Sequence, residues 1–306
     1  MGKYDALLLL SFGGPEGPDD VMPFLRNVAR GRNIPEERLA EVRERYQRFG
    51  GKSPINEENR KLIDALRAEM PELPIYWGNR NWHPFVADTL ERMEGDGVER
   101  AIAFATSAYS SYASCRQYLE DIAVAPFVVD KIPPFASHPA FIASNVDRLR
   151  EALGDDDELV LFTAHSLPSS MAAQCEYEAE LERVATAVIE GIGRTLRYRV
   201  VYQSRSGPKS VRWLTPDVRD ALRDAAADGV TKVTLAPIGF VCDHMEVVYD
   251  LDVEAAELAS ELGIRLRRAK TVGTHPRFVR MVKQLVEAPV RESCTASCCP
   301  APPRRG

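Results

Sequence analysis

Short, continuous apolar runs alternate with helical patterns along almost the whole chain, and few architectures accept that order. The runs lie at residues 6–12, 74–79, 100–105, 127–130, 158–165, 198–203 and 233–240. Helical spacing is read from Asp19 or Asp20 through Arg26, at 35–48 and 83–93, through Cys115 and Leu119, and at 141–153, 172–191, 217–229, 253–262 and 276–287. The runs are apolar throughout rather than alternating, so both faces of each strand are expected to be covered. That is the signature of parallel sheets with helices packed on either side. The pattern restarts after the helix near 141–153, which predicts a two-domain α/β protein. The expected division is residues 1–142, residues 143–290 and a tail at 291–306.

Composition narrows the classes of function. A net charge of −6 leaves no basic footprint for nucleic acid. No apolar run approaches the ~20 residues of a membrane span. The first residues lead straight into a strand without a secretory apolar region, so the cytoplasm is the expected location. Six cysteines in such a compartment argue against a disulfide framework, and three of them, Cys294, Cys298 and Cys299, crowd the last thirteen residues. Thiols at that density suggest metal ligands.

Chemistry concentrates after the run at 233–240. If a helix begins near Asp243, then Glu246, Asp250 and Glu254 stand at i, i+4 and i+8, three carboxylates along one face, with His244 at its start. Stacked like charges repel unless water or a cation separates them, so the row reads either as a solvated acidic face or as oxygen ligands for a divalent ion. His165 closes the run at 158–165. A strand-end histidine is either a satisfied core residue or a group that takes a proton or a metal near neutral pH. The loop Gly13-Gly14-Pro15 fits no nucleotide-binding pattern, and its prolines remove donors a phosphate would need. Arg26, Arg30, Arg32, Arg43, Arg45 and Arg48, ahead of Gly50-Gly51-Lys52-Ser53, suit the carboxylates of a ligand, although most of helix 35–48 reads as ordinary charged surface. Phe12, Tyr109, His165, Gln203 and His244 all fall at or just after strand carboxyl ends, where open α/β sheets bind ligands.

Two segments carry a resemblance. Ala164-His165-Ser166-Leu167-Pro168, together with Gly239-Phe240-Val241-Cys242-Asp243-His244-Met245-Glu246-Val247-Val248-Tyr249-Asp250, is similar to the paired signature of the ferrochelatases. Leu10-Ser11-Phe12-Gly13-Gly14-Pro15, Gly50-Gly51-Lys52-Ser53-Pro54 and Tyr202-Gln203-Ser204 match further family motifs in the same order, and the likeness spans residues 4–287. It implies two Rossmann-like domains around a porphyrin cleft and insertion of Fe2+, the metal substrate, into a tetrapyrrole. On that basis His165 and Glu246 are the expected catalytic pair and metal ligands, and Asp250 and Glu254 relay cations or protons. Phe12, Arg30, Arg45, Tyr46, Ser53 and Tyr109 are the expected substrate contacts. Phe12 departs from relatives that carry tyrosine there, which removes an oxygen ligand, and a histidine that some relatives place near Ala108 is absent.

The resemblance also gives the cysteines a role. Cys115, Cys294, Cys298 and Cys299 match a subfamily that holds a [2Fe–2S] centre on four thiolates, with Cys175 competing with Cys115 for the fourth position. That subfamily lacks a membrane-lip insertion and acts on coproporphyrin III, which is therefore the expected substrate, with coproheme as the product. Protoporphyrin IX is the alternative, as is a cobalt or nickel chelatase of the same fold, or a haem carrier without turnover. A monomer is expected, with transient contacts to neighbouring haem-pathway enzymes.

Overall fold

In the computed structural model, which describes residues 3–31, 34–154, 158–206, 210–288 and 298–301, every residue of strand β1 (Ala6–Ser11) is buried. Its four leucines face helices on both sides, as a central parallel strand requires. β2 (Ile75–Asn79) and β3 (Arg100–Ala105) flank it, with Leu8 opposite both Tyr76 and Ala103, and β4 (Val128–Lys131) completes the order β2-β1-β3-β4. The second sheet repeats the plan. β5 (Leu159–His165) lies between β6 (Arg197–Gln203) and β7 (Lys232–Ala236), with β8 (Arg265–Arg268) outermost, in the order β6-β5-β7-β8. All pairings among these strands are parallel.

The expected two-sheet α/β plan is present, with three local departures. The run at 233–240 is a strand only to Ala236, because Pro237 has no N–H for the ladder. The chain then crosses over β5 so closely that a Cβ on Gly239 would stand 2.5 Å from that of Ala164. β8, Arg-Leu-Arg-Arg, has no apolar run to announce it; as an edge strand it pairs on one side and leaves its arginines in contact with water. The helix Ile55–Glu69 adds an element to the first half.

The two halves are joined through their cores. The helix Pro139–Ala152 runs across the expected boundary at 142–143, and the helix Pro276–Glu287 packs on both it and Ile55–Glu69. Phe104 and Phe135 from the first half meet Phe141 and Phe278 with ring centroids 5.6–6.1 Å apart. Among the described residues no helix is long and apolar enough to cross a membrane.

Candidate active site

Parallel strands all present their carboxyl ends to one side, and the loops that follow them build a cleft between the halves. His165, the last residue of β5, has Nδ1 2.6 Å from the Ser166 carbonyl oxygen. A proton on Nδ1 satisfies that carbonyl and leaves Nε2 as the nitrogen able to meet a proton or a metal. It lies 3.4 Å from Glu246 Oε2, and both side chains are partly open to solvent, 31% and 46%. Burial works against an imidazolium here, but the charge and hydrogen bonding of Glu246, the Ser166 carbonyl and Asp250 outweigh it and raise the His165 pKa above its ordinary value. For Glu246, burial disfavours the carboxylate, yet His165, His244 and Arg45 hold its pKa below the usual range. The two shifts agree: each group stabilises the other's charged form, so the proton is held on His165 and Glu246 is kept ionised.

Glu246 stands in a short α-helical turn, Met245–Val247, which passes into a π-helical segment, Val248–Ala255. This geometry changes the acid row inferred from sequence. In an α-helix two steps of four leave the third side chain ~80° round from the first; a wider π turn brings a step of four nearer to a full revolution. Asp250 and Glu254 accordingly share one partner, with the Arg45 guanidinium 3.9 Å from Asp250 Oδ1 and 3.8 Å from Glu254 Oε1. Asp250 is buried, and desolvation, opposed by the Ser204 hydroxyl, moves its pKa up to about 7, helped by Glu246 and Glu254. Ser204 donates to Asp250 Oδ2 at 2.5 Å from a left-handed backbone, φ 62°, a conformation that costs a non-glycine residue free energy and is held here by its surroundings. Behind this row lies a cavity of ≈ 420 Å³, lined by Arg45, Ser204, Arg219, Asp250 and Glu254 among others; His165 and Glu246 are not part of its wall. The row therefore runs from the histidine to an arginine-rich chamber.

A family profile for ferrochelatase matches residues 4–289, nearly the whole chain. The chain belongs to the ferrochelatase family. It is 48% identical to the coproporphyrin III ferrochelatase of Frankia alni, over 99% of this chain and 88% of that protein. It is 47% identical to the ferrochelatase of Rhodopirellula baltica, over 99% of this chain and 95% of that protein. Among solved structures, SirB from Bacillus subtilis with Fe3+ superposes with a TM-score of 0.55 at 9% identity, covering 92% of this chain and 95% of that one, a likeness of fold.

Within this ferrochelatase fold the expected substrate contacts separate. Phe12 is 44% exposed, an apolar ring left open where its neighbour Phe24 is buried, 6.3 Å away edge-on. Arg30 is exposed at the end of the helix Val21–Ala29, donating to Asn27 Oδ1 at 2.9 Å. Three others have protein partners. Arg45, expected at a substrate carboxylate, lies over the Tyr249 ring at 4.9 Å and against the acid row. Tyr109 is 1% exposed, and its hydroxyl donates to the Ile238 carbonyl at 3.0 Å, across the seam between the halves. Ser53 is buried, and its hydroxyl oxygen accepts from the Met245 N–H at 3.3 Å. Ser53 thus satisfies a first-turn donor of the helix that carries Glu246 from a distant loop, a task its own sequence neighbourhood does not announce. Tyr46 is buried beside Glu246, and burial together with that carboxylate keeps its phenol protonated.

Sequence reasoning gives no role to Ser204, nor to Arg219, which lies 3.4 Å from Glu254, and it names Gln203 only by position. Gln203 Nε2 donates to the Glu246 carbonyl at 3.1 Å and so steadies the first turn. The motif Tyr202-Gln203-Ser204 is the available signal.

Four of the described cysteines, Cys115, Cys175, Cys298 and Cys299, lie near one another. Cys115 is buried in a π-helical turn, Tyr112–Arg116. Arg116 donates to the Cys298 carbonyl at 3.1 and 2.8 Å, bringing the tail against that turn, and the Sγ atoms of Cys298 and Cys299 are 3.7 Å apart. The Cys299 thiol is pushed up to about 12 by burial and by the neighbouring thiols of Cys298, Cys175 and Cys115. Cys294 lies outside the described residues, and among those described no three His, Cys, Asp or Glu stand close enough to hold a metal ion.

Proposed function

We propose that this ferrochelatase inserts Fe2+ into coproporphyrin III to give coproheme. The observation that carries the reading is the chain of proton-binding groups from His165 through Glu246 to Asp250, which begins where a macrocycle in the cleft would sit. A porphyrin must shed two pyrrole protons as the metal enters, so the site needs a base, a proton path and an apolar face. His165 Nε2 takes the proton, and Glu246, 3.4 Å away, stabilises the imidazolium that results. Asp250, with a pKa of about 7, accepts and releases protons at neutral pH and borders the rear chamber. Phe12 offers its exposed face to the ring. Fe2+ is the substrate metal, with His165 and Glu246 as its first contacts.

Coproporphyrin as the substrate rests on the Frankia alni relative, which bears that name; the Rhodopirellula baltica relative, named only as a ferrochelatase, keeps protoporphyrin IX as the second reading. The test is anaerobic insertion of ferrous iron followed optically, with the two porphyrins in parallel. Fast consumption of coproporphyrin with little turnover of protoporphyrin is expected. The opposite preference overturns the substrate, and binding of both without insertion turns the reading to a carrier.

A thiolate-held [2Fe–2S] centre at Cys115, Cys298, Cys299 and Cys294 is part of the same reading. The described thiols suit it by their donor chemistry, and Cys298, Cys175 and Cys115 all contribute to the surroundings of Cys299. Such a centre supplies one-electron redox chemistry and a staple for the tail. The protein's contribution is to bring Cys298 and Cys299 to Cys115 through Arg116. The chain is further proposed to work as a monomer in the cytoplasm.

A further inference from the structure

Two helices, one from each half, bring arginines to one space. Arg38 and Arg45 lie two turns apart on the helix Glu36–Gln47, and Arg219 and Arg223 one turn apart on the helix Val218–Ala227, so each pair shares a helix face. All four line the chamber of ≈ 420 Å³, a volume within the ~300–1,000 Å³ of small-molecule pockets. Among the described residues five arginines and four carboxylates line it, so positive charge is left over even with every carboxylate ionised. Their donors are largely unspent. The Tyr249 ring covers one face of the Arg45 guanidinium, and the oxygens it faces on Glu254 and Asp250 stand 3.8 and 3.9 Å away, beyond hydrogen-bond reach. Arg219 gives Nε to Asp217 at 3.1 Å and Arg223 gives Nη1 to Asp220 at 2.9 Å; Nη2 of each has no hydrogen-bond partner among the described residues. The same wall holds an orphaned acceptor. Gln203, 1% exposed, commits Nε2 to the Glu246 carbonyl at 3.1 Å, which fixes the orientation of its amide. Its buried Oε1 has no donor among the described residues, a costly state for an amide oxygen.

We propose that this chamber binds a small hydroxy-polycarboxylate. Carboxylates are the planar acceptors that guanidinium groups hold through paired hydrogen bonds, and a hydroxyl supplies the O–H that Gln203 Oε1 lacks. Carboxylates alone leave Gln203 unsatisfied, and a hydroxyl alone leaves the arginines so. Acids of this class chelate ferrous iron through carboxylate and hydroxyl oxygens. Asp250, four residues beyond Glu246, shares the chamber wall, so iron carried in by the acid meets the carboxylate row at its rear. That delivery role rests on the function proposed above; the binding site does not.

The test is calorimetric titration of the full chain, without iron or porphyrin, with citrate, with tricarballylate (the same three carboxylates and no hydroxyl) and with inorganic phosphate. Citrate is expected to bind at one site, with tricarballylate and phosphate each at least about tenfold weaker. Arg219→Gln and Arg223→Gln should each weaken citrate about tenfold, and Gln203→Met should remove the preference for citrate over tricarballylate. Equal binding of the two acids, tighter binding of phosphate, or indifference to both arginine variants overturns the proposal. So does displacement of citrate by coproporphyrin III, which would put the acid in the porphyrin cleft. Should Gln203→Met not fold, the three ligands on the wild type still decide. Delivery is read from insertion: Arg223→Gln should raise the KM for ferrous citrate about tenfold more than that for ferrous sulfate, and equal changes sink that role. Absence of insertion from either iron source overturns the proposed function, and the titrations still decide the site.

Discussion

In the proposed reaction His165 works through one nitrogen because the other is taken. With Nδ1 at 2.6 Å from the Ser166 oxygen, the ring is fixed in tautomer and angle, and Nε2 faces Glu246. Removing the base should cost ~10²–10⁴-fold in turnover. His165→Ala is thus expected to lose insertion over that range while porphyrin still quenches the protein's fluorescence; retained turnover would falsify the assignment. Asp250 allows a test by pH. Its pKa rises from 3.8 in the unfolded chain to about 7 in the folded one, so between those values the folded form holds a proton the unfolded form has lost. Stability therefore falls as pH rises through that window, and the full penalty stands above it. Asp250→Asn should be more stable than the wild type at pH 8, by on the order of 2–4 kcal/mol, with little difference near pH 4. The wild-type insertion rate should fall as pH drops through about 7, since a protonated Asp250 and a protonated His165 both block proton transfer. Asp250→Asn should be slower and should flatten part of that limb. Thermal melts and rate profiles on the two proteins check both statements.

The helix that carries the carboxylates depends on groups outside itself. Its π-helical stretch sets the pitch of Asp250 and Glu254, and Arg45 spans the two. Its first turn is satisfied from two directions, by Ser53 on the Met245 N–H and by Gln203 on the Glu246 carbonyl. The Ser53 contact needs the tight loop before it: Gly51, at φ 75°, lies where a Cβ would stand 2.4 Å from Pro18 Cα. Loss of a helix-capping hydroxyl usually costs ~1 kcal/mol. Ser53→Ala should lose about that much in denaturant unfolding. It should also slow insertion several-fold, because Glu246 is the next residue along; an unaltered rate with lowered stability would assign Ser53 to folding alone.

Across the molecule, the halves meet at two levels. The shared aromatic core around Phe104, Phe135, Phe141 and Phe278 joins them on one side. Nearer the site, the Tyr109 hydroxyl reaches the Ile238 carbonyl in the loop after β7, the loop that leads to Glu246. A buried carbonyl left without its donor costs ~1–3 kcal/mol. Tyr109→Phe, which keeps the ring and removes the bond, should lower stability by about that amount and shift insertion less than His165→Ala does. A larger loss of turnover than of stability would mean that the seam positions the catalytic helix.

Elements that rest on neighbours in the chain are legible in the amino-acid order alone. Leu7 to Leu10 must form a buried strand because four leucines in a row leave no solvent face. His165 and Glu246 stand out because each ends or follows an apolar run with flanks that match one family. What the order of residues leaves open is set by contacts between distant positions. β8 is held as a strand by pairing with β7, not by its charged sequence. Arg45, Ser53 and Tyr109 have the chemistry of ligand contacts, yet folding gives them Asp250, Met245 and Ile238 as partners, 205, 192 and 129 residues away. A side chain's chemistry is written in the sequence. Which of several suitable partners it meets is decided by the packing of two sheets, and burial then makes that choice costly to undo.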